Sequence, residues 1–298
     1  MKKLVVALLF LCAAVAQAQK LDGGDKEKEF QKEAAKGVDT TKAYGWNLGA
    51  GTGLNLSQVS YKDWSAGGQN SLAWGFWFKG SAEHRAENTR WLNGLKLAYG
   101  QTKNQGQEMR KTDDEIYFES MLIYLIGSTI NPYASATFRT QFAPGYLYPD
   151  NLPRNQISAF FDPAYLTQSV GLAYTPSDML TIRLGVGARE ILTSSYNQFA
   201  DDPATPEVEK TRVNGGLEGV VDFRWPFAEN MVFLSRLESF ANFNDFVRPY
   251  ARWDNSIVMK VNTLIAVNFD VQLISDPFVS PKTQIKQALS VGISYTLL

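Results

Sequence analysis

Apolar and polar side chains alternate along most of this chain with a period of two. In "LTIRLGVGA", Leu180, Ile182, Leu184 and Val186 alternate with Thr181, Arg183, Gly185 and Gly187. In "VNGGLEGVVDFRW", Val213, Leu217, Val221, Phe223 and Trp225 share one parity, and Asn214, Glu218, Asp222 and Arg224 share the other. Successive Cβ atoms point to opposite faces of a strand, so each run has an apolar face and a polar or small one. Twelve such runs are predicted, at 46–57, 70–83, 90–101, 114–127, 132–143, 164–175, 179–193, 211–225, 231–243, 249–261, 264–275 and 285–297. Most exceed the roughly 5–6 residues usual for strands of soluble proteins. They match or exceed the roughly 9–11 residues of a membrane-crossing strand.

The connections sort by length. Short ones ("AENTR", "GSTIN", "TPSDM", "PFAEN", "VNT") alternate with longer ones ("SYKDWSAGGQN", "TKNQGQEMRKTD", "FAPGYLYPDNLPRNQISAFFDPA", "SYNQFADDPATPEVEK", "NFNDFVRP", "SDPFVSPKTQ"). A soluble sandwich has no reason to sort its loops this way. The expected fold is all-β: an antiparallel up-and-down transmembrane β-barrel of about 12 strands, with short periplasmic turns and long extracellular loops. It would sit in the outer membrane of a Gram-negative bacterium with both termini periplasmic. A lipocalin-like soluble barrel would reverse the two faces; strand length and loop sorting favour the membrane.

With the apolar face in lipid, Trp46, Trp91, Tyr133, Trp225, Trp253 and Tyr295 suit the aromatic girdles at the two interfaces. The inward face then collects Lys79, Lys96, Arg139, Arg183, Arg189, Arg224, Arg236, Arg252 and Lys260 against Glu83, Glu115, Glu119, Glu218, Asp222, Glu238, Asp254 and Asp270. The two signs nearly balance. Charges paired across a lumen can hydrogen-bond one another, whereas a strongly selective pore would show one dominant sign. A lumen knitted by ion pairs and water, and a narrow, weakly selective pore, are both open readings. Barrels of about eight strands are filled by side chains and those of about sixteen enclose a channel; twelve falls between.

Composition agrees with β structure, since 13% of the residues are aromatic. A net charge of −1 gives no argument for nucleic acid as a partner. Lys2 and Lys3, the apolar run "LVVALLFLCAAVA" and "AQA" at 16–18 read as a signal peptide over 1–18. The run is shorter than the roughly 20 residues of a transmembrane helix. Cys12, the sole cysteine, lies inside it and follows Leu9, Phe10 and Leu11 rather than a small residue, so it is not a lipid-anchor site. The mature chain then has no disulfide and no cysteine metal site. Residues 19–44 read as a charged flexible arm, with plugging of the lumen as the alternative, and 45–298 as the barrel.

Chemistry finds little support. His84 is the sole histidine, which rules out a multi-histidine metal site and weakens any histidine-based catalyst; "EHRAEN" places it at a turn. Asp113-Asp114 and Asp201-Asp202 lie in loops and lack calcium-loop spacing. "GAGTG" at 49–53 precedes a strand-like run rather than a helix, so its glycines read as one smooth strand face. The aromatic loop at 142–165 either constricts the mouth, contacts a ligand, or packs on itself. No cofactor is expected. The predicted role is non-enzymatic: structural, transport or surface-binding. A narrow diffusion channel for small solutes is the alternative, and a membrane-embedded hydrolase a weaker one. Expected partners are outer-membrane lipid and, by implication, the barrel-assembly and periplasmic chaperone machinery.

"LNLSQVSYKDWSAGGQNSLAW" at 54–74, following "GWNLGAGTG", resembles the opening strands of a family of Gram-negative outer-membrane β-barrel proteins of unknown function. Trp64, Gly67, Gly68 and Asn70 carry the resemblance. It implies a signal peptide and a barrel of about this size, and it carries over no catalytic residue. The chain departs from common outer-membrane barrels at its end. Those close on an aromatic residue, whereas here Tyr295 and Leu297 set the apolar phase and Leu298 is last. The signal-peptide reading predicts that the exported protein begins at Gln19. Intact-mass measurement of membrane-extracted protein checks this, and a retained leader would overturn it.

Overall fold

A computed structural model describes residues 44–62, 68–149, 152–202, 205–277 and 279–297. The expected signal peptide, almost all of the arm, and Trp64 and Gly67 lie outside the described residues. Fourteen strands are present: β1 (Gly45–Val59), β2 (Ser71–Arg85), β3 (Thr89–Asn104), β4 (Arg110–Tyr124), β5 (Ile130–Thr140), β6 (Gly145–Leu147), β7 (Asn155–Ser158), β8 (Ala164–Ser177), β9 (Leu180–Leu192), β10 (Thr211–Ala228), β11 (Met231–Asn242), β12 (Asp245–Lys260), β13 (Ile265–Ser275) and β14 (Gln284–Thr296). Twelve close into one antiparallel barrel in the order β1-β14-β13-β12-β11-β10-β9-β8-β5-β4-β3-β2. The other two, β6 and β7, form a small hairpin inside the connection from β5 to β8.

All twelve expected runs are barrel strands, with ends shifted by a few residues. The cause of their regularity is physical. Hydrocarbon offers no hydrogen bonds, so each backbone N–H and C=O must pair with a neighbouring strand. Long strands with uninterrupted registers result, for example fifteen paired positions between β1 and β2. Among the described residues no helix is long and apolar enough to cross a membrane; the spans are strands.

The outward face is apolar and open to its surroundings: Leu48, Leu54, Leu56, Val170, Leu172, Leu184, Val186, Val213, Leu289, Val291 and Ile293 are all exposed. A belt of this extent far exceeds the apolar patches of a soluble monomer; it is the lipid-facing surface of a transmembrane barrel. Trp46, Trp91, Trp225, Trp253 and Tyr295 lie on it as expected. Two of these indoles solve their own polarity problem. Trp91 donates to Ser120 Oγ and Trp253 to Ser235 Oγ, each at 2.9 Å, so neither N–H is stranded in lipid. Tyr133 corrects the girdle assignment, because it points inward and is 4% exposed. It shares the parity of Asn131, Ser135, Thr137 and Arg139, the polar face of β5.

One end of the barrel carries the tight turns, at 86–88, 125–129, 178–179, 229–230 and 261–264. The other carries the longer loops, with one exception. β11 and β12 run on to Asn242 and Asp245 and leave a two-residue turn where "NFNDFVRP" predicted a loop. His84 is also not in a turn: it lies in β2, half-buried, with its ring 5.0 Å from that of Trp46.

The apolar core is small and sits inside the barrel near the turn end. Ile123, Tyr133 and Ala173 pack with Leu92, Met121 and Leu125 there. The wall on the opposite side is smooth. Gly49, Gly51 and Gly53 on β1 face inward beside Gly292 and Ser294 on β14. The Trp77 indole lies across Gly53, and a Cβ at residue 53 would come within 2.5 Å of it. Gly53→Val should therefore destabilise the barrel by about 1–3 kcal/mol through overpacking, and Trp77→Ala in the same chain should restore most of the loss. The temperature at which the folded band converts to the unfolded one on heat-modifiability gels measures both.

Candidate functional site

The candidate site is the lumen. Alternation along each strand decides which side chains enter it, and the register decides which of them meet. Glu119 on β4 lies opposite Gly94 and Thr137, and its reach carries it across the interior to β9 and β11. It accepts from Arg183 at 2.8 Å and from Arg236 at 3.0 Å. Arg236 is the hub, bonding Asp222 at 3.1 Å, Glu238 at 2.8 Å and the Tyr117 hydroxyl at 3.0 Å. Arg139 joins Glu238 at 3.1 Å to Glu115 at 3.2 Å and lies over the Tyr117 ring. Glu115 also takes Lys96 at 2.6 Å and Arg252 at 2.8 Å, and Arg252 bonds Asp254 at 2.8 Å.

These contacts form one connected network of five cations and five carboxylates on β3, β4, β5, β9, β10, β11 and β12. It crosses the lumen from β3 and β4 to β11 and β12 like a girder. The pairs are charge-assisted and several donors are shared, so each desolvated group meets more than one partner. Arg183 is the deepest, at 2% exposure.

Ten of the seventeen expected lumen charges thus join the girder, and Glu218, Arg224, Lys79 and Asp270 stand apart from it. Glu218 is buried but bonds hydroxyls only: Ser169 Oγ donates to it at short range, and the Tyr133 hydroxyl lies at 3.4 Å. Arg224 lies nearer the turn end, beside Asp178. Lys79 and Asp270 face inward yet are exposed, and among the described residues neither forms an ion pair. They lie on the smooth wall of β13, β14, β1 and β2, where inward Ser81 and Ala288 are exposed as well. The lumen is divided: the girder and the apolar core fill the β4-to-β11 side, and solvent reaches the small-residue side.

Some participants escaped sequence reasoning. Arg85 and Arg90 close on Glu83 at 2.9 and 2.7 Å near the turn end. Asp276, in the loop after β13, turns inward and meets Arg189 at 3.1 Å, both nearly fully buried. Of the three readings of the aromatic loop at 142–165, its described residues bear out packing on its own aromatics and neighbours. Arg110 lies over Tyr148 and Arg154 over Tyr146, Phe160 packs edge-on against Phe161, and Asp162 accepts from the Ser195 and Tyr196 amides.

In the first loop, Gly68 has a φ of 152° and lies under the Tyr61 ring, where any Cβ would collide. Asn70 accepts from the Tyr61 amide and its carbonyl accepts from Gln105 N–H at 2.8 Å. Asp113 and Asp114 lie in β4 rather than in a loop, and the acidic pairs are taken up by neighbouring groups: Asp114 accepts from Lys111 and from the Phe142 and Ala143 amides, and Asp201 from the Glu209 amide. Among the described residues no group of three or more His, Cys, Asp and Glu is placed to hold a metal ion.

The girder yields a test. Glu119→Gln leaves Arg183 buried with its main counter-charge gone and should lower folding stability by about 3 kcal/mol. Arg183→Met with Glu119→Leu should recover most of that loss. Urea unfolding in lipid vesicles, followed by tryptophan fluorescence, measures both; an unperturbed Glu119→Gln variant would show that the pairs are not coupled.

No curated protein matches the chain in sequence. Among solved structures, the COG4313 outer membrane channel from Pseudomonas putida F1 is 10% identical, with 93% of this chain and 99% of that chain covered and a TM-score of 0.42. The translocator domain of the autotransporter NalP from Neisseria meningitidis is 12% identical, with coverages of 91% and 95% and a TM-score of 0.38. The fold stands on the strand pairing itself, not on these scores. Residues 56–146 match the family described as protein of unknown function (DUF3078), which agrees with the resemblance carried by the first hairpin.

Proposed function

We propose that the protein is a narrow diffusion channel of the outer membrane for small polar solutes, weakly selective between ions, with its turn end and both termini in the periplasm. The observation that carries this reading is the pair of solvent-exposed inward charges on the smooth wall. Lys79 and Asp270 are exposed although they face the lumen. Inward exposure requires open space on that side.

The electrostatics favour weak selectivity. The girder carries equal numbers of both signs, so its field largely cancels at a distance. What remains along the passage is one positive and one negative side chain, Lys79 beside Lys96 in register and Asp270 beside Ala288. A lone charge in a water-filled passage is screened within about 8–10 Å at physiological salt. Lys286 on β14 also reaches Asp113 on β4 at 2.9 Å, past β1, β2 and β3, and narrows the loop end of the passage. Both partners are about half exposed, so this strap is weak and open to exchange with water.

Purified protein in a planar bilayer should give small, ohmic conductance steps with a cation-to-anion permeability ratio near one. Lys79→Glu should shift that ratio toward cations and Asp270→Lys toward anions, each by a few-fold. A properly assembled barrel that passes no current would overturn the channel reading.

A further inference from the structure

A second space borders the girder near the loop end. It is a cavity of about 220 Å³ lined from β5 and from β8 round to β14. The loop after β13 roofs it: Asp276 and Val279 both line it. The buried Arg189–Asp276 ion pair pins that roof to β9.

The lining charges do not simply cancel in place. Glu238 is neutralised by Arg139 and Arg236, and Arg252 by Glu115 and Asp254. Glu218 has no cationic partner among the described residues, although it is 8% exposed and lines the cavity. A carboxylate that far from water is stable only with a counter-charge or strong hydrogen bonds, and here it has two neutral hydroxyls, from Ser169 and Tyr133. At the other end Arg189 gives Asp276 one of its five N–H donors. Its guanidinium is stacked 3.8 Å from the Tyr250 ring centre and 5.4 Å from that of Tyr165, which fixes its plane. The cavity therefore has a carboxylate with no cationic partner among the described residues and, toward the loop end, a guanidinium paired with Asp276 that has N–H donors to spare.

We propose that this cavity binds a short zwitterionic peptide, with its ammonium group at Glu218 and its carboxylate at Arg189. Size and spacing select the class. The volume lies below the roughly 300–1,000 Å³ of sites for drug-sized ligands, so the occupant has few heavy atoms. Arg189 pairs with Asn214 in the register, four residues along β10 from Glu218. At about 3.3 Å per residue the two backbones stand about 13 Å apart along the strand. The two groups thus start from different levels of the wall, and the volume of about 220 Å³ suits a dipeptide of small residues. Val220, Phe240 and Ile274 line the space between the two groups and would take small apolar side chains. Binding at these two groups does not require that the barrel conduct.

Isothermal titration of the full-length barrel in detergent with alanyl-alanine tests this. Saturable binding is expected, lost when the amine is acetylated and lost when the carboxylate is amidated. Glu218→Gln keeps the shape and the Ser169 contact and should weaken binding by more than about tenfold, the size expected when one member of a desolvated charge pair is neutralised. Heat-modifiable mobility confirms that the variant has folded, and the capped peptides report on the unaltered protein if it has not. No binding by any of the three peptides would identify the cavity as water-filled and overturn the proposal. Binding of the acetylated peptide alone, or of the amide alone, would overturn it in favour of a simple anion or cation site.

Discussion

The constraint on which the rest depends is backbone closure in a medium without water. An open sheet edge in hydrocarbon would strand a row of N–H and C=O groups, each costing several kcal/mol. The chain meets this by joining its first strand to its last. The β1–β14 seam has five paired positions against fifteen for β1–β2, so it is the weakest circumferential contact among the strands. Inward residues there are small: Gly51, Gly53, Gly292 and Ser294. Small side chains let two strands that meet over a short register approach without steric conflict, and Gly53 also yields its volume to Trp77. Closure therefore keeps bulky charged groups off the seam wall, which leaves open space beside it.

The bulk displaced from the seam is collected opposite. Ten charged side chains span the lumen in one connected set, and its shared donors explain why both signs occur in equal number. A carboxylate between two guanidiniums, such as Glu119 between Arg183 and Arg236, is more completely solvated by protein than any isolated pair. Such a network adds little net stability relative to a well-packed apolar filling. What it does is define one arrangement, since a slip of register by one residue would send every member into lipid. The hydroxyls of Tyr117 and Tyr250 belong to the same logic, taking the guanidinium donors that carboxylates leave over.

Strand positions and the identity of most lumen charges were legible in the sequence because lipid enforces strict alternation. Every lapse at a barrel strand changes a face, and faces were what the alternation reported. Less legible was anything set by contacts between strands distant in sequence. Tyr133 was read as a girdle residue because aromatic type outweighed its parity, yet its neighbours Asn131, Ser135 and Arg139 marked the inward face. Leu92, Met121 and Ile123 broke the rule in the other direction, as apolar residues on the polar face, because the turn end of the lumen holds a small dry core. Asp276 lay outside any alternating run, so no periodicity could aim it inward; only the presence of Arg189 on the far side does that. The β11–β12 hairpin is tight because Asn242 pairs with Asp245, a match invisible until the strands are aligned.

Strand number alone fails to predict how a barrel of this size fills its lumen, and the reason can now be stated in side chains. A circumference of twelve strands encloses more area than a single layer of side chains can fill, yet less than a wide channel needs. The outcome then turns on how length is distributed around the wall. Evenly spread arginines would meet at the axis and close it. Here every arginine of the girder arises from β5, β9, β11 or β12, and the strands from β14 to β2 contribute glycine, alanine and serine over most of their inward face. Open space beside the small-residue wall follows from that asymmetry without any larger barrel. The girder's Arg139, Arg236, Glu238 and Arg252 also line the second cavity, because long side chains that bridge a lumen leave space between themselves and the wall.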